Sequence, residues 1–371
     1  MTGHLKGGNA TTACRVVTGD TDTRESADYM DPLLNTDPPA IGDFKLLARI
    51  GRGGMGQVYL AESRAGQRVA LKVMLQLSDD PRRRDRFSRE VEMLRSAVGV
   101  SIANYADNGM TGDVPWLATE YVRGPTLDRY VSDHGALRGR NLAMLAASLA
   151  EGLGHIHRAG LLHRDLKPHN VILGPEGPKI IDFGLAVESQ KPSEFTATGM
   201  VAGTAAWMAP EQAAGERELT PATDVFALGA VLLFSATAKV SISPWTRPSL
   251  AGLSGETAAV LAGMLAEESS QRPDAVEVRE AFLSIVGDDI ASPLQELVAG
   301  TYGRYEPVAP PPVPEPAPKT KSQTKTSPEP KPASDPTVLV APPRVRRKPS
   351  RDRAVQAADR LRVAYAQTKE L

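Results

Sequence analysis

The chain has 371 residues, of which 41% are hydrophobic and 23% are charged, and its formal net charge is −1. This balance is typical of a globular protein, and it excludes the strongly basic surface that nonspecific nucleic-acid binding requires. The single cysteine, Cys14, excludes an intramolecular disulfide framework. The longest apolar stretch falls short of the roughly 20 residues that a membrane-spanning helix needs. We therefore expect a cytoplasmic protein with no membrane span and no nucleic-acid partner.

Thirty prolines are too many for one compact fold, and their distribution predicts flexible ends. Residues 1–40 lack periodicity and end in a cluster of helix- and strand-breaking residues, so we predict a flexible lead-in. Fourteen prolines fall within residues 303–349, which predicts a disordered, extended linker. Residues 350–371 are basic and carry a weak helical stripe. The main domain is predicted at residues 41–286, with residues 287–302 as its short C-terminal extension.

Short β-strand patterns open the predicted domain at Phe44, Gln57 and Arg68. Glycine-containing turns separate them, which indicates an antiparallel sheet. Apolar residues at helical spacing then predict a helix that contains Phe87, Val91 and Leu94. From Leu142 onward the chain is mainly helical in pattern. Strands first and helices later predict an α+β fold with two lobes, a small sheet lobe and a mainly helical lobe, separated by a cleft.

Residues 51–58 read GRGGMGQV and match the pattern GxGxxGxV. Glycines in such a loop let backbone N–H groups approach phosphate oxygens. Dinucleotide-binding folds share the pattern, but there a helix follows directly, whereas a strand pattern continues here. Lys72 lies on the next predicted strand, where its ammonium would hold nucleotide phosphates. Glu90 on the following helix is the best candidate for its ion-pair partner, and Glu92 is the alternative.

Two further motifs lie close together: residues 163–170 read HRDLKPHN and residues 181–184 read IDFG. Phosphoryl transfer needs metal ions and a carboxylate that orients or deprotonates the acceptor hydroxyl. Asp165 is the candidate carboxylate, and Lys167 can balance charge on the transferred group. Asn170 and Asp182 offer hard oxygen ligands for Mg²⁺ or Mn²⁺.

In this order, the motifs resemble those of the eukaryotic-like serine/threonine protein kinases of bacteria, and the likeness covers about two-thirds of the chain. The resemblance implies a two-lobed protein kinase fold and transfer of the γ-phosphate of ATP to serine or threonine hydroxyls of protein substrates. It implies that the following residues surround ATP: Ile50, Gly51, Gly53, Gly54, Gly56, Val58, Ala70, Lys72, Glu90, Thr119, Glu120 and Val122. Thr119 would be the gatekeeper, and backbone groups of Glu120 and Val122 would meet the adenine.

The same resemblance implies roles in the activation segment, between Asp182 and Glu211. Thr204 would contact Asp165 and Lys167 in residues 163–170, the catalytic loop, and select hydroxyl acceptors. Thr196 and Thr198 match positions at which related bacterial kinases autophosphorylate. A phosphate there would carry nearly two negative charges, which the neighbouring guanidinium of the catalytic loop, that of residue Arg164, can pair with. We therefore expect activation by autophosphorylation, for which a homodimer is one suitable arrangement.

Two structural roles also follow from the resemblance. Glu211 would pair with Arg272 to anchor the activation segment, and Asp224 would hold the backbone of the catalytic loop. Only about sixty residues separate Glu211 from Arg272, fewer than in the family, so we expect a lower lobe trimmed around residues 237–255. His155 and His157 are expected to pack at a helix end rather than to bind a metal.

Three other interpretations stay open at this point. A pseudokinase scaffold would normally lack one of Lys72, Asp165 and Asp182, and all three are present. A small-molecule phosphotransferase of related fold would lack the peptide-docking segment at residues 203–211. The tail, residues 303–371, offers polyproline and basic segments to a binding partner, although a plain linker is favoured.

Overall fold

The computed structural model of the protein describes residues 30–53, 56–75, 81–183, 206–216, 218–240 and 249–287, together with residues 356, 359 and 360. In the first long helix, side chains are described from residue 87 onward. Four predicted site residues, Gly54, Thr196, Thr198 and Thr204, lie outside the described residues. The predicted linker at residues 303–349 lies outside them as well, as do residues 1–29 and most of the tail.

The N-terminal lobe is built on a six-stranded antiparallel sheet with the strand order β1-β2-β3-β4-β6-β5. Its strands are β1 (Ala40–Ile41), β2 (Phe44–Gly53), β3 (Gly56–Glu62), β4 (Arg68–Val73), β5 (Tyr105–Thr111) and β6 (Val114–Glu120). Helix α1 (Pro81–Leu94) lies between β4 and β5 in the chain. The predicted apolar stripe of this helix is confirmed, because Phe87, Val91 and Leu94 are all buried.

The two faces of this sheet have different environments, as the period of two along β4 shows. Val69, Leu71 and Val73 are buried, whereas Ala70 and Lys72 between them are only half-buried. The buried face packs into a separate small core that also contains residues of β2, β3 and β6. The half-buried face is therefore the one that can line a binding cleft.

Residues 30–40 differ from the prediction of a flexible lead-in, because they are part of the N-terminal lobe. Asp31 and Arg49 exchange two backbone hydrogen bonds of 2.9 Å, which extends the sheet at the edge of β2. Leu33 packs against the core of the sheet, and Asp37 is buried. The breaker cluster around Asp37 forms a tight turn that the carboxylate of Asp37 stabilises. Such a turn has no strand or helix period, so periodicity in the sequence does not reveal it.

The C-terminal lobe is mainly helical. Its helices are α2 (Leu127–His134), α3 (Gly139–Arg158), α4 (Pro210–Ala213), α5 (Pro221–Thr237), α6 (Gly255–Met264) and α7 (Ala275–Val286). A two-stranded sheet, β7 (Val171–Gly174) and β8 (Gly177–Ile180), lies beside the cleft, and short 3₁₀ turns span Pro168–Asn170 and Ser269–Gln271. The predicted fold class is thereby confirmed as a two-lobed α+β arrangement.

Helix α5 forms the centre of the larger core. Its side chains are buried without interruption from Thr223 to Ala236, so the apolar stretch in the sequence is a buried helix, as expected. Helix α3 packs against α5, α7 and β8. No described helix combines the length and the apolarity that crossing a bilayer would require. Helix α7 ends at Val286 and is followed by Gly287 with a φ of 74°.

Candidate active site

The predicted phosphate-binding loop is the hairpin of β2 and β3, and strand register places it over the predicted lysine. Gly51 pairs with Val58, Val58 pairs with Lys72, and Lys72 pairs with Leu117. Directly paired residues project to the same face of a sheet. Val58 and Lys72 therefore lie together on the half-buried face, under the glycine hairpin. Ala70 pairs with Thr119 one step along the same face.

Gly56 ends the hairpin and has a structural requirement of its own. Its φ is 154°, and a Cβ atom built there would lie 1.8 Å from the carbonyl oxygen of Val73. Only glycine allows this approach of β3 to the end of β4. The side-chain amide of Gln57 donates 2.6 Å to the carbonyl of Gly51, which ties the two strands of the hairpin together.

The ammonium of Lys72 lies 2.9 Å from Oδ2 of Asp182. Among the described residues, this carboxylate and not that of Glu90 is its ion-pair partner, so the predicted pair of Lys72 and Glu90 is not formed in this conformation. Partial burial alone would raise the pKa of Asp182, but the charge and the hydrogen bond of Lys72 hold it below its ordinary value. Asp182 is therefore an ionised carboxylate beside the lysine that the sequence predicts to bind phosphate.

Glu90 faces a different part of the cleft from the one predicted. Its side chain, 8% exposed, lines a cavity of about 380 Å³ together with His157, Arg164 and Pro221. Helix α1 thus places Glu90 beside a cavity that Arg164 of the catalytic loop also lines. The ammonium of the half-buried Lys72 already has a close carboxylate in Asp182, so its charge is balanced without Glu90.

The predicted catalytic loop brings three of its polar residues together. Nζ of Lys167 lies 2.8 Å from Oδ2 of Asp165. The side-chain amide of Asn170 donates to the backbone carbonyl of Asp165 at 2.7 Å and approaches its Oδ2 at 3.4 Å. The side chain of Asp165 is 38% exposed, so this carboxylate is held in place and still open to a substrate.

Asp224 holds the start of the catalytic loop from within the core. Its carboxylate is 1% exposed and accepts backbone hydrogen bonds from His163 and Arg164, both of 2.8 Å. The ring of His157 contributes a third contact of 2.9 Å to the same carboxylate. Arg164 has a φ of 64°, and Asp182 has a φ of 59°. Strained backbone of this kind occurs where the surroundings over-determine a conformation, most often at functional sites.

The activation-segment pair predicted from the sequence is present at the start of α4. Arg272 contacts both carboxylate oxygens of Glu211, at 2.7 and 2.8 Å, and its side chain is fully buried. Thr223 donates to the same carboxylate at 2.9 Å. Burial raises the pKa of Glu211, but these hydrogen bonds outweigh that effect and lower it below its ordinary value.

This geometry coincides with a match to a known family. The family described as the protein kinase domain matches residues 44–282, which is more than half of the chain. The chain belongs to this family. Its matched region begins at β2 and ends in α7, so it contains both lobes and the whole of the catalytic loop.

Individual relatives are bacterial. The chain is 46% identical over 235 residues to the probable serine/threonine-protein kinase PkwA of Thermomonospora curvata. The aligned region covers 63% of this chain and 30% of that protein. It is 41% identical to the serine/threonine-protein kinase AfsK of Streptomyces coelicolor, over 67% of this chain and 33% of that protein. The chain therefore spans about a third of the length of these relatives.

Solved structures give the same fold. The kinase domain of Mycobacterium tuberculosis PknI superimposes with a TM-score of 0.56 and 24% sequence identity, over 69% of this chain and 100% of that one. At this level of identity the likeness supports the fold alone. It agrees with the sheet lobe and the helical lobe described above.

Sequence reasoning missed a network at Glu120, which lies with Val122 in the hinge, the connection between the two lobes that is predicted to meet the adenine. The carboxylate of Glu120 accepts 2.6 Å from the ammonium of Lys179 and 3.2 Å from the side chain of Asn104. The backbone N–H of Glu120 also donates to the carbonyl of Asn104, at 2.8 Å. The network thus links the end of β6 to β8, three residues before Asp182. The sign of this network in the sequence is Lys179, a single lysine in the otherwise uncharged strand β8.

The remaining hinge residues occupy the connection between the lobes. Val122 is 7% exposed, and it lies so close to Gly174 that a Cβ atom built there would be 3.0 Å from Cγ1 of Val122. Gly124 has a φ of 150°, and a Cβ atom there would lie 2.2 Å from the carbonyl of Leu173. The connection therefore lies tightly against β7, and Ile50 and Thr119 lie on strands that lead to this side of the cleft.

Proposed function

We propose that this chain is a serine/threonine protein kinase that transfers the γ-phosphoryl group of ATP to hydroxyl groups of protein substrates. The observation that carries the proposal is the convergence of Lys72, Asp182, Asp165, Lys167 and Asn170 from separate segments at one cleft. Membership of the protein kinase family, and relatives named as serine/threonine-protein kinases, support it.

Asp165 is proposed to orient the acceptor hydroxyl and to take its proton. The carboxylate is fixed by Lys167 and Asn170, and it is open to the cleft, as a general base must be. Nζ of Lys167 lies 2.8 Å from the carboxylate of Asp165, where the reacting groups would meet. Its ammonium is therefore proposed to balance negative charge on the transferred phosphoryl group. Such positioning supplies most of the catalysis in phosphoryl transfer.

The residues beside this base fit a magnesium ion. Asp182 carries an ionised carboxylate, and Asn170 uses its side-chain N–H₂ group as a donor, so its amide oxygen is turned away from Asp165. Two hard oxygen donors from separate segments suit Mg²⁺, which takes only one or two protein ligands and binds phosphates. When bound, Mg²⁺ would neutralise charge on the phosphates.

The adenine and the phosphates are proposed to lie between the glycine hairpin and the connection of the lobes. Strand register supports this, since the half-buried residues of β3, β4 and β6 share one face. The proposed ATP-binding residues are Ile50, Gly51, Gly53, Gly54, Gly56, Val58, Ala70, Lys72, Thr119, Glu120 and Val122. Glu90 is proposed to join Lys72 only after a rotation of α1, because Glu90 now lines the cavity beside Arg164, whereas Lys72 pairs with Asp182.

The direct test is phosphate transfer from ATP–Mg²⁺ to a generic protein substrate. Replacing Asp165 with asparagine removes the base, and the turnover should fall by about 10² to 10⁴-fold. The matched control is Asp133→Asn, which removes an exposed carboxylate in α2 that pairs with Arg129. Wild-type turnover in both variants would contradict the proposed role of Asp165.

Regulation by phosphorylation of Thr196 and Thr198 is part of the proposal. The cavity that contains Arg164 lies beside helix α1, so a phosphate bound there could pull on the helix that carries Glu90. Thr204 is proposed to select the acceptor hydroxyl. If both threonines act as the switch, the double alanine variant should lose most of its activity towards a protein substrate, whereas unchanged activity would contradict the switch.

The wider context of the proposal follows from its chemistry. Protein substrates and ATP imply a cytoplasmic site of action, and phosphorylation of one copy by another implies at least a transient homodimer.

A partner for the proline-rich tail is a separate proposal. Deletion of residues 303–371 should alter partner binding or location if the tail recruits a protein, and it should change neither if the tail is a linker.

A further inference from the structure

Asp37 is a buried charged residue that the proposed reaction does not use. Its side chain has no exposed surface, and its two oxygens accept four hydrogen bonds. Nε and Nη2 of Arg49 donate at 2.8 and 2.7 Å, the hydroxyl of Tyr59 donates at 2.7 Å, and the backbone N–H of Leu34 donates at 2.7 Å. Burial and the bond to Asp37 raise the pKa of Tyr59, so its hydroxyl stays protonated and remains a donor.

The two partners of this carboxylate lie on the two strands of the glycine hairpin. Arg49 on β2 pairs directly with Tyr59 on β3, and the next pair towards the loop is Gly51 with Val58. Strand β2 shifts its register between Arg49 and Gly51, so Ile50 is the extra residue of a bulge. Bulges redirect side chains beside active sites, and this one lies where the phosphate-binding loop begins.

The carboxylate binds the hairpin from the face opposite the cleft. Tyr59 belongs to the small core on that face, against which Leu33 also packs. Residues 30–43 precede the region that matches the kinase family. Residues 30–41 thus hold the outer face of the hairpin through Asp37 and Leu33.

A buried ion pair by itself is weak evidence of added stability, because desolvation offsets much of the attraction. A two-bond contact between a guanidinium and a carboxylate does, however, fix the relative orientation of both groups. Removal of the carboxylate would cost Arg49 two hydrogen bonds and Tyr59 one in a buried place. The hairpin would then be free to change its twist at the bulge.

We propose that Asp37 is a positioning residue for the phosphate-binding loop, acting through Arg49 and Tyr59 to keep the β2–β3 hairpin in the conformation that binds ATP. The inference rests on the proposed function, because it assumes that ATP binds under this hairpin. It assigns residues 30–41 a role in nucleotide affinity rather than in substrate recognition. The effect should appear in the Kd and KM for ATP and leave the KM for the protein substrate unchanged.

The test uses the full chain and measures ATP–Mg²⁺ binding by calorimetry, together with the KM for ATP, the KM for a protein substrate and the Tm. Asp37→Asn keeps the volume and removes the charge, and it should weaken ATP binding about tenfold. Tyr59→Phe removes one donor and keeps the ion pair, so a loss of about two- to threefold is expected. The matched control is Asp43→Asn in the same lobe, whose carboxylate forms an exposed pair with Arg64 and should leave ATP binding unchanged.

Arg49→Lys covers the case in which Asp37→Asn does not fold, because it keeps the charge but cannot form the two-bond contact. It too should weaken ATP binding while the KM for the protein substrate stays within twofold. A lower Tm with an ATP Kd within twofold of wild type in the folded variants would overturn the inference and reduce Asp37 to a structural residue. Failure of the wild-type chain to bind ATP at all would instead overturn the proposed function.

Discussion

Single residues at the site combine burial with a fixed protonation state, and His163 shows this most clearly. The ring is fully buried; Nδ1 faces the backbone N–H of Asp165 at 3.3 Å and Nε2 faces the carbonyl of Ile181 at 3.2 Å. One neutral tautomer, with its proton on Nε2, satisfies both contacts. Burial lowers the pKa of His163 below 6.5, and the nearby charges of Asp224 and Asp165 offset this only in part.

A pH dependence of stability follows from this lowered pKa. Above pH 6.5 the ring is neutral in the folded and unfolded chains, so its contribution to stability is fully present there. As the pH falls below 6.5, the unfolded chain takes up the proton first, and the free energy of unfolding should decrease by at most about 1.4 kcal/mol per pH unit. Urea unfolding of wild type between pH 7 and pH 5 measures this slope.

His163→Phe should remove that part of the slope whatever its effect on absolute stability. The control is His169→Asn, since the ring of His169 is 62% exposed and this variant should keep the wild-type slope. Equal slopes for wild type and His163→Phe would show that the buried ring is not the source of the pH dependence.

At the scale of single residues, sequence reasoning identified types and order better than contacts. The residues Asp165, Lys167 and Asn170 could be predicted because they lie within six positions of one another and the reaction needs their chemistry. The partner of Lys72 could not be predicted. The choice between Glu90 and Asp182 depends on the rotation of α1 about its axis, and the apolar stripe of a helix fixes that rotation only coarsely.

At the scale of elements, the Glu211–Arg272 pair connects α4 to the segment before α7. Arg272 also donates to the carbonyls of Ala266, Glu267 and Ala222, and its guanidinium lies 5.0 Å from the ring centre of Phe226. One buried side chain therefore joins three separate segments of the C-terminal lobe. Replacement of Arg272 would therefore break contacts in all three segments at once.

Arg272→Met should destabilise the chain by about 3–5 kcal/mol, because it leaves the carboxylate of Glu211 buried without its cation. The control is Arg129→Met, which breaks a pair on the surface of α2 and should cost about 1 kcal/mol or less. Chemical denaturation of both variants measures the two changes. Similar small losses in the two variants would contradict the anchoring role of Arg272.

The strands and helices were predictable where one period covered several residues. Strand β4 alternates buried and half-buried residues, and α5 is apolar throughout, so both could be identified from the sequence. The segment at residues 30–41 could not, because only two of its residues form a strand and the rest is held by isolated contacts: the backbone pairing of Asp31, the packing of Leu33 and the hydrogen bonds of Asp37. A contact over twelve positions in sequence leaves no periodic pattern.

At the scale of the whole molecule, the two-lobed fold brings distant segments to one cleft. Lys72 and Asp182, which are 110 positions apart in the sequence, meet at 2.9 Å. The order of the motifs along the chain was sufficient to predict the family, because protein kinases share that order. The trimmed region around residues 237–255 stays a prediction, because residues 241–248 lie outside the described part of the chain.

Whether this cleft transfers phosphate from ATP to serine or threonine is tested most directly by mass-spectrometric mapping of phosphorylated residues. The purified chain is incubated with ATP–Mg²⁺ and a generic protein substrate. We expect phosphoserine and phosphothreonine in the wild-type reaction and about 10² to 10⁴-fold less of both in the reaction of Asp165→Asn. Phosphate found only on tyrosine, or no transfer by the wild-type chain with Mg²⁺ or Mn²⁺, would contradict it.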